Sequence, residues 1–169
     1  MLSFKNPFWQ FSLSVYAGPA VAAECLELQR RFEIDVNLLL FCAWMGSAHK
    51  VPMSDEHLTA MEASVAVWHE KVVRPLRAAR QDLKPMPAMS DPAVAALRSD
   101  IAKNELRAEE VEQAMLFALA DTFAETDATT SVAEAIRHNV SAFLKRVAPP
   151  GADPSVPERL IAQAIAYKA

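Results

Sequence analysis

Lys71, Arg74, Arg77, Arg80 and Lys84 recur at three- and four-residue steps on one helical segment, a spacing that gathers cationic groups along it. Guanidinium forks and ammonium groups in such a row can hold a phosphate or carboxylate through charge-assisted hydrogen bonds. Charge runs also serve simply to solubilise a helix. Judged against the apolar residues of the same segment, Arg74, Arg77, Arg80 and Lys84 fall on the side away from the partner helix. A solvated or ion-paired face is therefore the first expectation, and an anion site at Arg74, Arg77 and Arg80 is the alternative.

His69 flanks the same segment beside Trp68. An antiparallel partner helix would bring it toward Glu105, and a carboxylate neighbour can tune an imidazole for acid–base work near neutral pH. His69 and Glu105 are thus the catalytic candidates, with a structural ion pair as the competing role. His49, His57 and His138 show neither the i, i+4 pairing nor the Glu-x-x-His spacing of bundle metal sites, so no metal and no cofactor is expected. With glycines only at 18, 46 and 151, a phosphate-cradling glycine loop is excluded. Asp-Asp-x-x-Asp pairs are absent as well.

The elements that must position these groups are helices. Leu38 to Met45 is apolar on every side, which demands burial all round, yet the run is much shorter than the ~20 residues of a membrane span. Asp35 caps this central helix. Asn6-Pro7 opens a helix to about Ala17, Gly18-Pro19 ends it, and a second helix carries Val21, Cys25, Leu28 and Phe32. Ser54 caps a long element of about 55–84, in which Leu58, Met61, Val65, Trp68, Val72, Ala79 and Leu83 form a seam and Pro75 predicts a kink. After the proline-rich turn from Lys84 to Pro92, the residues Val94, Leu97, Ile101, Ala108, Val111, Met115 and Ala118 continue a similar seam to about 123. Antiparallel pairing sets Trp68 by Ala108, a large residue opposite a small one. Ser131 to Glu134 and Ser155 to Glu158 read as capping boxes for helices of about 132–147 and 156–168, joined by a stiff linker at 148–154. The prediction is one all-α domain, a bundle of about six or seven helices. N-terminal helices at 1–50 surround the buried one, a long antiparallel hairpin spans 54–123, and C-terminal helices occupy 131–169.

Composition narrows the partners. The net charge of -4 and pI near 5.6 disfavour nucleic acid and anionic membranes. Two cysteines inside apolar helical patterns and an N-terminus without the charged start of a secretory signal point to the cytoplasm. Phe8, Trp9 and Phe11 crowd a short first helix, and Leu160, Ile161 and Ile165 form a stripe on a short last one. These two helices are the candidate interaction surfaces, for a protein partner or for a homodimer formed by exchange of the C-terminal helix; docking onto the same chain is the alternative.

Four segments carry a resemblance: Asn6-Pro-Phe-Trp-Gln-Phe-Ser-Leu-Ser-Val-Tyr16; Asp35-Val-Asn-Leu-Leu-Leu-Phe-Cys-Ala-Trp44; Pro75-Leu-Arg77 with Arg80; and Glu105-Leu-Arg-Ala-Glu109 followed by Glu112-Gln113. Together, over roughly residues 4 to 116, they resemble the bacterial family catalogued as domain of unknown function 2390. The resemblance implies a small cytoplasmic helical protein and assigns no catalytic residue. A protein-interaction or regulatory module is the functional expectation; a small anionic-ligand binder or an enzyme built on the basic face and the His–carboxylate pair is the alternative.

Overall fold

The computed structural model describes residues 1–123, 130–152 and 154–168. Its helices are α1 (Pro7–Tyr16), α2 (Val21–Phe32), α3 (Val36–Trp44), α4 (Asp55–Trp68), α5 (Arg74–Leu83), α6 (Pro92–Ala120), α7 (Val132–Val147) and α8 (Glu158–Ala166). A π turn, Met45–His49, prolongs α3, and a second, His69–Val73, joins α4 to α5 as one continuous rod. The bundle is all-α, with no strand among the described residues.

Most helix starts follow the local chemistry. The Asn6 side chain accepts from the Trp9 amide at 2.9 Å, with Pro7 at the first helical position. Asp35 accepts from the Asn37 amide at 2.8 Å. Ser54 and Ser131 both form reciprocal capping boxes, the first with His57 in place of the usual acid and the second with Glu134. The expected box at Ser155 does not form: α8 starts at Glu158, which pairs with Arg137 at 2.9 Å. Glu24 of α2 caps α8 instead, accepting from the amides of Arg159 at 3.4 Å and Leu160 at 3.0 Å. A carboxylate there satisfies orphan donors and meets the positive end of the helix dipole. Asp153 of the linker lies outside the described residues.

Helix α3 is the buried axis, and every residue from Asn37 to Trp44 is enclosed. Phe8 packs on Phe41 and Trp44 with ring centroids 5.3 Å from each, and Phe11 meets Tyr167 edge-on at 5.1 Å. Phe8, Phe11, Leu160 and Ile161 are therefore core residues of their own chain and not the interaction surface expected of them. The proline-rich segment does not hold α8 away, because α8 closes over α1, α2, α3 and α7. Only Ile165 remains exposed, and Trp9 is half-buried.

The long hairpin is antiparallel, with Trp68 donating through Nε1 to the Ala108 carbonyl at 2.9 Å, as the seam predicts. Beyond Trp68 the expected seam fails. The π turn inserts an extra residue and so rotates α5 by about 100° about its axis relative to an unbroken helix. Val73, not Val72, is then fully buried, Ala79 faces solvent, and Arg77 and Arg80 turn toward α6. Pro75, whose ring would clash with the carbonyl four residues before it in a regular helix, follows directly on this wider turn.

Candidate functional site

A polar cluster is built where α3, α5 and α6 meet beneath α1 and α2. At its centre His69 Nδ1 lies 3.0 Å from Asp35 Oδ2 and 3.0 Å from Glu112 Oε1. Only Glu112 is placed to take a hydrogen bond, so Asp35 Oδ2 keeps the charge contact without one. The other oxygens of both carboxylates are fixed by Asn37, whose amide N–H serves Asp35 Oδ1 and whose Nδ2 donates to Glu112 Oε2 at 2.6 Å. Gln113 Nε2 in turn donates to Asn37 Oδ1 at 2.8 Å. Asp35, His69, Glu112 and Asn37 thus close a ring of polar contacts inside the bundle.

Burial alone would strip the proton from His69, but the two carboxylates 3.0 Å away, Asp35 and the hydrogen-bonded Glu112, outweigh it and raise its pKa to about 10. Burial pushes the Glu112 carboxyl upward against the His69 hydrogen bond. The Asp35, His69 and Glu112 donor atoms all lie within 4.8 Å of one another, a set able to hold a metal ion. The absence of a metal-type histidine spacing along the chain thus does not extend to three dimensions. These groups come from three separate helices.

The expected pairing of His69 with Glu105 is not the one formed. Glu105 lies two turns away from Glu112, about 10 Å along α6, and is taken by the arginines. Arg77 Nε donates to Glu105 at 3.0 Å and its Nη2 to Glu109 at 2.6 Å; Arg80 grips Glu105 through both Nε and Nη2. Arg74 pairs with Glu70 at 2.9 Å on the surface. Burial opposes ionisation of Glu105, yet Arg80 and Arg77 hold its carboxyl below the usual range, whereas burial dominates at Glu109 and raises it. Arg77 and Arg80 of the basic row are therefore spent on carboxylates of α6, and the phase shift of the π turn is the reason.

Beside the cluster opens a cavity of about 320 Å³ between α1, α2, α3, α5 and α6. Its polar wall includes Ser12, Asp35, Asn37, Arg77, Arg80, Glu105 and Gln113; Trp9, Tyr16 and Leu40 supply an apolar side, and exposed Leu13, Leu26 and Leu106 edge it. Among the described residues, the buried side-chain polar atoms without a hydrogen bond are Ser12 Oγ, Asp35 Oδ2 and Gln113 Oε1. Ser12, Asp35 and Gln113 all line this cavity, although Asp35 Oδ2 itself is aimed at His69. A more open cavity of about 450 Å³ adjoins His69, Arg74 and Arg77.

Ser12, Glu109, Glu112 and Gln113 stand in the segments that carry the family resemblance, but the sequence assigned them no site role. A signal was there: Glu105, Glu109, Glu112 and Gln113 stand at i, i+4, i+7 and i+8, the spacing of a single helix face, although apolar residues alone were expected to define the buried side. Leu97 and Ala118 of the expected seam are exposed while Glu105 and Glu112 are buried. Cys25 and Cys42 behave as anticipated, since burial, aided at Cys25 by Glu24, pushes both thiols up, that of Cys25 to about 12.

The family model described as protein of unknown function DUF2390 matches residues 7–116, and the chain belongs to this family. That span contains every residue of the polar ring, the arginine cluster and the cavity wall. No curated protein and no solved structure matches the chain.

Proposed function

We propose that the protein is a regulatory module of the bacterial cytoplasm that binds a small polar molecule in the cavity between α1, α2, α3, α5 and α6. The observation that carries this is that the three residues with an unpartnered buried polar atom, Ser12, Asp35 and Gln113, all line one cavity. Leaving such atoms unsatisfied costs about 1–3 kcal/mol each, and a ligand that satisfies them recovers that cost. Asp35 Oδ2 and Gln113 Oε1 can only accept, so the ligand must bring N–H or O–H donors. Since Arg77, Arg80 and Arg74 already have carboxylate partners, the anionic ligand first suggested by the basic row is disfavoured against an amine, guanidine or amide with a short apolar body.

A thermal-shift screen of amines, guanidines and amides against carboxylates and phosphates tests this. Donor-rich compounds should raise the melting temperature of the wild type, and Ser12→Ala should weaken the best of them roughly tenfold, the worth of one hydrogen bond. Stabilisation by anions alone, or an affinity untouched by Ser12→Ala and Gln113→Leu alike, would overturn the proposal. The interaction-module alternative, homodimer included, rests on the half-exposed Leu13, Leu26 and Leu106 at the cavity edge. Light scattering of the wild type and of Leu106→Ser tests it, because a dimer seated on that rim should dissociate in the variant.

A further inference from the structure

We propose that Asp35, His69 and Glu112 form a binding site for one divalent first-row metal ion, with Asn37 as its supporting residue. The site shares Asp35 Oδ2 with the cavity reading: a bound ion would satisfy that atom and leave Ser12 Oγ and Gln113 Oε1 to a cavity ligand. Three donor atoms from three helices converge: Asp35 at the start of α3, His69 at the opening of the π turn, and Glu112 in the middle of α6. Single π turns within helices occur disproportionately at functional sites, because the extra residue redirects side chains that a regular helix would splay.

A proton on His69 Nδ1 can complete only one of the two carboxylate contacts there. One N–H bond can point along one direction, so it serves Glu112 and leaves Asp35 Oδ2, nine-tenths buried, with no hydrogen bond. A cation among the three atoms would serve all of them at once. The two nitrogen–oxygen separations of 3.0 Å, ordinary for hydrogen-bonded ion pairs, also equal the edge between adjacent ligands in an octahedral site with bonds of about 2.1 Å. Charge agrees with this. An ion would displace the His69 proton, and the two carboxylates with a then-neutral imidazole sum to two negative charges, which a divalent ion cancels.

The surroundings are those of a prepared site. Each carboxylate has one oxygen held by Asn37 and the other directed at His69. Gln113 fixes the Asn37 side chain. Outer contacts of this kind orient metal ligands before the ion arrives. His69 borders the more open cavity and Asp35 the narrower one, so an ion has a path in and coordination positions left for water or for a ligand. One imidazole with two carboxylates and no thiolate selects Mn²⁺, Fe²⁺, Co²⁺ or Zn²⁺ over Ca²⁺ or Cu⁺.

The test uses metal-stripped full-length protein titrated with Co²⁺, read by its visible absorption, and with Zn²⁺ in competition with a coloured chelator. One equivalent should bind at micromolar affinity or tighter and raise the melting temperature. Asp35→Asn and Glu112→Gln, which keep side-chain size, should each weaken binding more than a hundredfold, and Asn37→Ala by about 10–100-fold. Lack of saturable binding by the wild type below millimolar metal, or unchanged affinity in Asp35→Asn and Glu112→Gln, would overturn the site. Should both variants unfold, Mn²⁺ broadening of wild-type NMR signals decides: the His69 ring and the Asn37 side-chain amide must broaden first, and broadening centred on His49, His57 or His138 defeats the proposal.

Discussion

At the scale of single residues, Glu105 shows how a charge can be structural where a catalytic role was anticipated. It accepts from two guanidinium groups, so removing its charge leaves Arg80 without a carboxylate and Arg77 with Glu109 alone. Glu105→Gln should destabilise the protein by about 1–3 kcal/mol in urea denaturation at neutral pH. The pH dependence has a definite sign. Because the folded pKa is held below the unfolded one, the contribution is complete above the ordinary carboxylate range and is lost as pH falls through the depressed value. The stability gap between wild type and Glu105→Gln must therefore shrink in acid, and a gap that widened there would contradict the assignment. Gly46 makes a second residue-scale case. A Cβ at this position would stand 2.5 Å from the Ile136 backbone nitrogen, and backbone cannot yield as a side chain can. Gly46→Ala should cost about 1–3 kcal/mol, measurable by the same denaturation.

At the scale of elements, the π turn at His69–Val73 decides which side of α5 meets α6. Without it the continuous heptad seam would run on through Val72 and Ala79, and Arg77 and Arg80 would point away from α6. Deleting the exposed Glu70 should convert the turn to regular helix and rotate α5 by about 100°. The expected result is a far-UV circular dichroism spectrum of near-native helicity with stability reduced by roughly 2–4 kcal/mol, since two guanidinium groups and two carboxylates lose their partners. An unchanged urea midpoint would mean that the hairpin absorbs the deletion without changing face.

At the scale of the whole molecule, the terminal helices seal the core of their own chain. Leu160, Ile161 and Ala164 are fully buried, and Glu24 caps the helix that carries them. A chain ending before Pro149 should lose at least about 3 kcal/mol, because several fully covered core residues regain solvent. Calorimetry or urea denaturation beside light scattering checks this: truncation that altered only the association state and left the stability within about 0.5 kcal/mol would restore the exchanged-helix dimer. Among the described residues no helix is long and apolar enough to cross a membrane.

The linear sequence by itself determined the helical class, the buried α3, most of the helix starts and the pairing of Trp68 with Ala108. Caps, prolines and apolar runs act within a few residues of themselves, and so they can be read in order along the chain. Only the tertiary structure decided that Glu24 caps α8, that His69 meets Asp35 and Glu112, and that Arg77 and Arg80 face inward. Each of these depends on the rotational phase of one helix against another, and a single inserted residue in a π turn changes that phase by more than a quarter turn without leaving a mark in composition or hydropathy.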